Sequence, residues 1–175
     1  YGRSKTGYLV RKYVDNLGDY ADMWNTAMNA IVMRYAEVLL MYAECKVELG
    51  EIDASVYDVL NELRDRAGMR EVDKTVYATQ AKMRELVRRE RRVELALEGL
   101  RWFDVCRWKI GEEVMPGQVY GCRLGTVDPV TGKLALTEER IKTEVRIFDP
   151  AKHYLWPIPQ TTIDAASEIK QNPGY

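Results

Sequence analysis

Between Leu86 and Asp104 this chain puts carboxylates and aliphatic side chains on one helical line. Leu86, Glu90, Val93, Leu97, Leu100 and Asp104 follow steps of four and three, the spacing that stacks side chains on a single helix face. An amphipathic helix ordinarily keeps charge off its apolar stripe. Two carboxylates held in such a line need cations beside them, because burying a charge without a partner is strongly unfavourable. Arg88, Arg91, Arg92, Arg101 and Arg107 lie within a turn or two. The stretch therefore predicts a structural ion-pair network of Glu90, Arg91, Glu94, Glu98, Arg101 and Asp104, locking packed helices together.

The neighbouring segments read as helices that such a lock would join. From Asn29 to Leu49 two apolar stripes run side by side. One holds Ile31, Tyr35, Val38, Tyr42, Cys45 and Leu49; the other holds Ala36, Leu40, Ala43 and Val47. Two stripes predict a face that meets more than one neighbour, with Arg34, Glu37, Glu44 and Glu48 on the remaining side. Gly50 ends the helix, and Asp53 is placed to cap the next by accepting a backbone N–H. Val56, Val59, Leu60, Leu63 and Ala67 line that second helix, and Gly68 suits the left-handed position after it. Two helices joined by a short turn, about 34 residues in all, have the size of a tetratricopeptide unit. The stripes of this hairpin demand a neighbour on each side, and the third helix supplies only one, so an exposed apolar patch is expected where earlier repeats would pack. The third helix is predicted from Thr79 through Glu98, with Gly99 bending the chain before a further turn to Trp108.

The two ends differ in character. Residues 1–28 carry five aromatics and three glycines with no helical period, and Leu9–Val14 reads as a short strand in an aromatic loop. Residues 109–152 are rich in Gly and Pro, with a tight turn at Val130–Lys133 between short extended pieces. Pro157 and Pro159 exclude a central strand around Trp156, and Trp102, Trp108 and Trp156 read as core or hinge residues. The expected fold is mostly α: a tetratricopeptide-like helical hairpin plus further helices, with a loop-rich C-terminal region containing short strands. Its expected divisions are an aromatic loop segment (1–28), a helical core (29–108) and a loop-rich wrap (109–175).

Composition narrows the chemistry. With 26 basic and 27 acidic residues in 175, no net field favours nucleic acid. Lys82 through Glu98 holds six basic and four acidic residues, which favours pairing within the protein over phosphate binding. Glu90, Glu94 and Glu98 invite comparison with a glycosidase carboxylate pair, yet their spacing of four suits ladders to arginine. Catalytic residues are therefore expected to be absent. His153 is the single histidine and shows no clustered ligand spacing, so neither a metal nor a cofactor is implied. Cys45 and Cys106 read as small hydrophobes; were the chain exported and one pair oxidised, Cys106–Cys122 would close the shortest loop. No run approaches the roughly 18 apolar residues of a membrane span.

Four motifs carry a family resemblance. Glu90-Arg91-Arg92-Val93-Glu94-Leu95 through Glu98-Gly99, Arg101, Asp104 and Arg107-Trp108 resembles a signature of the SusD/RagB family of outer-membrane nutrient-binding lipoproteins. Arg34-Tyr35-Ala36-Glu37 through Tyr42-Ala43-Glu44 resembles that family's first conserved helix, and Asn61 through Arg64-Asp65-Arg66-Ala67-Gly68 its following helix end. Tyr154 through Gln160 and Gln171-Asn172-Pro173-Gly174-Tyr175 resemble its closing segments. The resemblance implies a cell-surface protein, facing outward from a Gram-negative outer membrane, that captures an oligosaccharide or other nutrient without chemistry. Its implied partner is a SusC-like TonB-dependent outer-membrane transporter. It further implies that this is a C-terminal portion, with the lipid anchor and earlier helical repeats outside the chain.

Aromatic side chains on loops are where sugar contacts are sought, since a ring offers an apolar face and loops on a rigid scaffold carry binding. Tyr20 and Trp24, just ahead of the first helix, and Tyr120, in the glycine-rich region, are the candidate ligand-binding residues. The alternative reading is a tetratricopeptide-like protein-interaction scaffold with no glycan role.

Overall fold

Ala36, Leu40, Ala43 and Val47 are buried on the first helix and become the centre of a three-helix core. The structure, a computed structural model, describes residues 4–14, 29 and 31–175. It divides into two units: Asp15–Trp102, and Tyr1–Val14 together with Phe103–Tyr175.

In the helical unit, α1 (Tyr35–Glu48) packs against both α2 (Ala54–Arg66) and α3 (Gln80–Glu94). Leu40 and Val47 meet Val56, Leu60 and Leu63 of α2 and Met83, Leu86 and Val87 of α3 in one cluster. The first two helices form an antiparallel hairpin. Tyr42 bonds Ser55 beside the turn at 2.8 Å, and a cleft at the opposite end is lined by Arg34, Tyr35 and Leu39 of one arm and Leu63, Asp65 and Arg66 of the other. Both helices end in the same way. Glu51 N–H donates to Lys46 O and Gly50 N–H to Val47 O; Met69 N–H donates to Arg64 O and Gly68 N–H to Asp65 O. These are paired closing bonds around a left-handed residue, with φ of 76° at Gly50 and 66° at Gly68. At the start of α2, Asp53 accepts from Ser55 N–H at 2.9 Å. Ser55 and Lys46 together hold the Asp53 carboxyl down at about 2.

Three expectations for this unit need correction. The first helix begins at Tyr35 rather than Asn29, because Arg34 is extended, with φ −140°, and its side chain is drawn toward the end of α3. The stripe of Ile31, Tyr35, Val38, Tyr42 and Leu49 lies exposed, and Cys45 within it is exposed rather than a packed hydrophobe. This is the apolar patch that the double stripe predicted. Glu37, placed by the sequence on the polar side, is buried instead, with Arg91 Nη2 3.6 Å away.

The other unit contains α4 from Phe103 onward (α4 is Arg101–Trp108), α5 (Gly111–Val114), an antiparallel hairpin of β1 (Gly117–Val127) and β2 (Leu134–Arg146), and α6 (Gln160–Ala165). The strands run 11 and 13 residues, longer than the extended pieces the glycine spacing suggests. Asp128 makes the turn between them: its carboxylate accepts from Val130 N–H at 2.8 Å and Thr131 N–H at 3.1 Å. Leu9–Val14 forms no strand; a turn falls at Lys12–Tyr13. The final segment folds back on itself. Gln171 donates to and accepts from the backbone of Ile158 at 2.8 Å each way, and Tyr175 OH donates to Leu155 O at 3.0 Å. Trp156, between these anchors, is 72% exposed and not a core residue. Cys106 and Cys122 are free thiols, as is Cys45.

Candidate functional site

The end of α3 gathers the charges that the sequence placed among aliphatic residues. Arg34 is the hub. Its Nε donates to both carboxylate oxygens of Glu98 at 3.0 Å, its Nη1 to Glu94 Oε1 at 2.5 Å, and its Nη2 to the Glu94 backbone oxygen at 2.6 Å. Hydrogen bonds to Glu98, then to Glu94, raise the Arg34 guanidinium well above its ordinary value. Arg66 reaches the same Glu94 carboxylate at 2.6 Å, and Arg64 meets Glu90 at 2.5 Å. The Arg64 and Glu90 side chains are only 13% and 12% exposed. Asp104, buried on α4, accepts from Arg107 Nε at 2.9 Å. Arg101 opens that helix.

This arrangement shows why α3 stops early. The sequence predicts helix through Glu98, with Gly99 as the break. The chain instead leaves the helix at Glu94 and passes Leu97 with φ 66°. Arg34 satisfies the Glu94 carbonyl that another helical turn would have used, and Glu98 turns back to the same guanidinium. Val93 and Leu97 are exposed in consequence, at 67% and 63%, so the aliphatic line is broken there while its carboxylates stay paired. The sequence points to arginines next to these carboxylates in the chain. The partners come from elsewhere in the chain, 26 to 64 residues away: Arg34 from the extended residue just before α1, Arg64 and Arg66 from α2. Their signal was present in the two arginine-bearing motifs around Arg34 and Arg64–Arg66.

Glu90, Glu94 and Glu98 each bind guanidinium, so their carboxylate oxygens are engaged within the protein. Among the described residues no cluster of three or more His, Cys, Asp or Glu is placed to hold a metal ion. No described helix is long and apolar enough to cross a membrane.

Of the aromatic candidates, Tyr20 and Trp24 lie outside the described residues. Tyr120 lies on β1, directly opposite Lys142 of β2, and is half exposed. It lines an open groove of about 480 Å³ together with Glu138, Glu139, Arg140 and Lys142. The charged residues of this groove were not singled out by the sequence; strand register alone brings them to the tyrosine.

Comparison with known proteins agrees with this geometry. The sequence profile of the SusD family matches residues 1–175. SusD-like protein P2 of Formosa agariphila is 31% identical over 156 residues, 86% of this chain and 26% of its own length. SusD-like protein P25 of the same organism is 35% identical over 103 residues, 58% of this chain and 19% of its own length. Among solved structures, a SusD homolog from Bacteroides thetaiotaomicron superposes with a TM-score of 0.59 at 28% identity, covering 82% of this chain and 26% of that one. A SusD-like carbohydrate binding protein from Bacteroides vulgatus gives a TM-score of 0.59 at 22% identity, covering 86% and 32%, a likeness of fold. The chain thus spans about a quarter of the length of the curated relative it matches over most of its residues.

Proposed function

The chain belongs to the SusD family, and on that premise we propose that it forms part of an outward-facing outer-membrane lipoprotein that binds oligosaccharide at the cell surface. The whole protein hands its ligand to a SusC-like TonB-dependent transporter. The observation that carries this reading is the family match along all 175 residues. The helical lock supports it: the acid-rich helix end is a brace, with its carboxylates engaged by Arg34, Arg64 and Arg66. The work is capture, and no bond in the ligand changes.

Tyr20 and Trp24, ahead of the first helix in the sequence, and Tyr120 on the hairpin are the proposed ligand contacts. Binding is weak, with Kd of order 0.1–1 mM, because a tightly held sugar would leave too slowly for hand-over. The test is calorimetry of the whole protein against a panel of polysaccharides and their oligosaccharides, with released reducing sugars assayed in parallel. Weak binding without release supports the reading. No binding across the panel, or steady release of sugars, overturns it. Within a binding protein, unchanged affinity in Trp24→Ala removes Trp24 from the contacts.

A further inference from the structure

The middle of the hairpin is built differently from its ends. From Val119 to Gly125 the pairing of β1 with β2 shifts register three times: between Val119 and Tyr120, between Tyr120 and Arg123, and between Arg123 and Gly125. Extra residues in one strand bend the ribbon and re-aim side chains, and such bulges gather where a strand is shaped for a task. Here they fall along the span that forms the groove beside Tyr120, whose other lining residues lie between Glu138 and Lys142.

The same span is braced. A two-stranded hairpin standing alone is marginal in water, but the segment at Lys5–Gly7 lies against this one. Cys122 N–H donates to Thr6 O at 2.8 Å, and Thr143 Oγ1 donates to Lys5 O at 3.4 Å. Gly121 is buried, and a Cβ at that position would overlap the Thr6 carbonyl oxygen. The residue before it, Tyr120, keeps half of its surface open. A held backbone presenting a half-open ring is a preorganised contact, and preorganisation lowers the ordering cost of binding.

Charge in the groove points to the ligand class. Glu138, Glu139, Arg140 and Lys142 all line the groove, and Arg123 pairs with Glu138 at 3.3 Å. A uronate or sulfated sugar would meet two carboxylates among the cations, and like charges placed together oppose binding. An uncharged sugar uses both signs. Its hydroxyls donate to the carboxylates and accept from guanidinium and ammonium, while a C–H face lies on the tyrosine ring. We propose that the Tyr120 groove is a subsite for an uncharged saccharide, with Tyr120 as its platform and Glu139, Arg140 and Lys142 as its hydrogen-bonding rim.

This rests on the glycan-binding reading above, so the experiment separates the two. Calorimetry of the whole protein uses malto-, cello-, xylo- and mannohexaose as uncharged probes and hexagalacturonate as the anionic one. The expected result is that an uncharged hexasaccharide binds, that Tyr120→Ala weakens it about tenfold or more, and that Tyr120→Phe retains affinity. Lys142→Ala and Glu139→Ala weaken it by about two- to fivefold, and raising NaCl from about 50 to about 500 mM leaves the affinity within about twofold. Full affinity in Tyr120→Ala overturns the subsite while leaving the function intact. Preference for hexagalacturonate with steep salt dependence overturns the ligand class. A whole protein that binds no probe and no other glycan ends both readings.

Discussion

The two units of this chain treat charge in opposite ways. In Asp15–Trp102, carboxylates and guanidinium groups lie next to a closed apolar core, and the Glu98 side chain is only 7% exposed. Along the hairpin nearly every strand position is open to solvent; its pairs, such as Arg123–Glu138 with side chains 42% and 89% exposed, hold little. Exposed ion pairs contribute on the order of 0–1 kcal/mol, whereas opening a buried one leaves a charge without compensation. The same residue types therefore act as a brace in one unit and as an adaptable surface in the other.

The sharpest way to break this comparison is to remove the hub. Arg34→Ala strips partners from Glu94, Glu98 and the Glu94 carbonyl at once. We expect a loss of about 3–5 kcal/mol in urea unfolding followed by circular dichroism. A loss below about 0.5 kcal/mol, the size of an ordinary surface substitution, would reduce the lock to surface decoration.

Next in size is the brace of the hairpin. Gly121→Ala drives a methyl into the Thr6 carbonyl, and overpacking of this kind costs about 1–3 kcal/mol. The loss should appear locally, as faster hydrogen exchange of the Cys122 amide that donates to Thr6 O. Unchanged protection would mean that the segment at Lys5–Gly7 does not hold the ribbon.

The outer face of α1 gives a third test, since it looks like core yet lies open. Tyr35, Val38, Tyr42, Cys45 and Leu49 repeat with the three- and four-residue spacing of a packing face, and Cys45 within it is an exposed thiol. In the 175-residue chain Cys45 should react with a maleimide at the rate of a free cysteine. If a further helix covers the stripe in the whole protein, Cys45 should react there at least about tenfold more slowly, a difference of about 1.4 kcal/mol. Equal rates would make this face a true surface.

Much of the helical unit was legible in the sequence because its signals are local. Stripe spacing, Gly50 and Gly68 after the helix ends, and Asp53 at a helix start each concern residues within a few positions of one another. The lock was legible as a need for partners but not as a set of partners. Which arginines meet Glu90 and Glu94 depends on how α1 and α2 lie against α3; a linear reading favours the neighbouring arginines, and Arg34, Arg64 and Arg66 stand out only as parts of separate motifs. The early end of α3 was hidden for the same reason, since a carbonyl taken by Arg34 from 60 residues away leaves no mark near Glu94. Trp156 misled because size and apolarity predict burial on average, whereas the clamp from Gln171 and Tyr175 fixes the backbone around it and leaves the ring outside. In the groove, Tyr120 was visible as an aromatic in a loop-rich region, while its charged neighbours emerge only from a register with three shifts.

The smallest expected effect makes the most direct comparison of the two units, through one kind of side chain. Leu40 is fully buried in the helical core and Leu136 is 55% exposed on β2. Leu40→Ala removes packing from all sides and should cost about 2–5 kcal/mol. Leu136 lies across the ribbon from Gly125, with one methyl close to the place a Cβ there would occupy, so its truncation removes contact with a position that has no side chain to lose. Leu136→Ala should therefore fall within about 0.5 kcal/mol of the parent chain. The two variants, measured by the same urea titration, set the scale of the difference between core and ribbon. If Leu136→Ala cost as much as Leu40→Ala, the ribbon would carry a packed face of its own, and its charged groove would have to be read as the edge of a second core rather than as a surface open to a ligand.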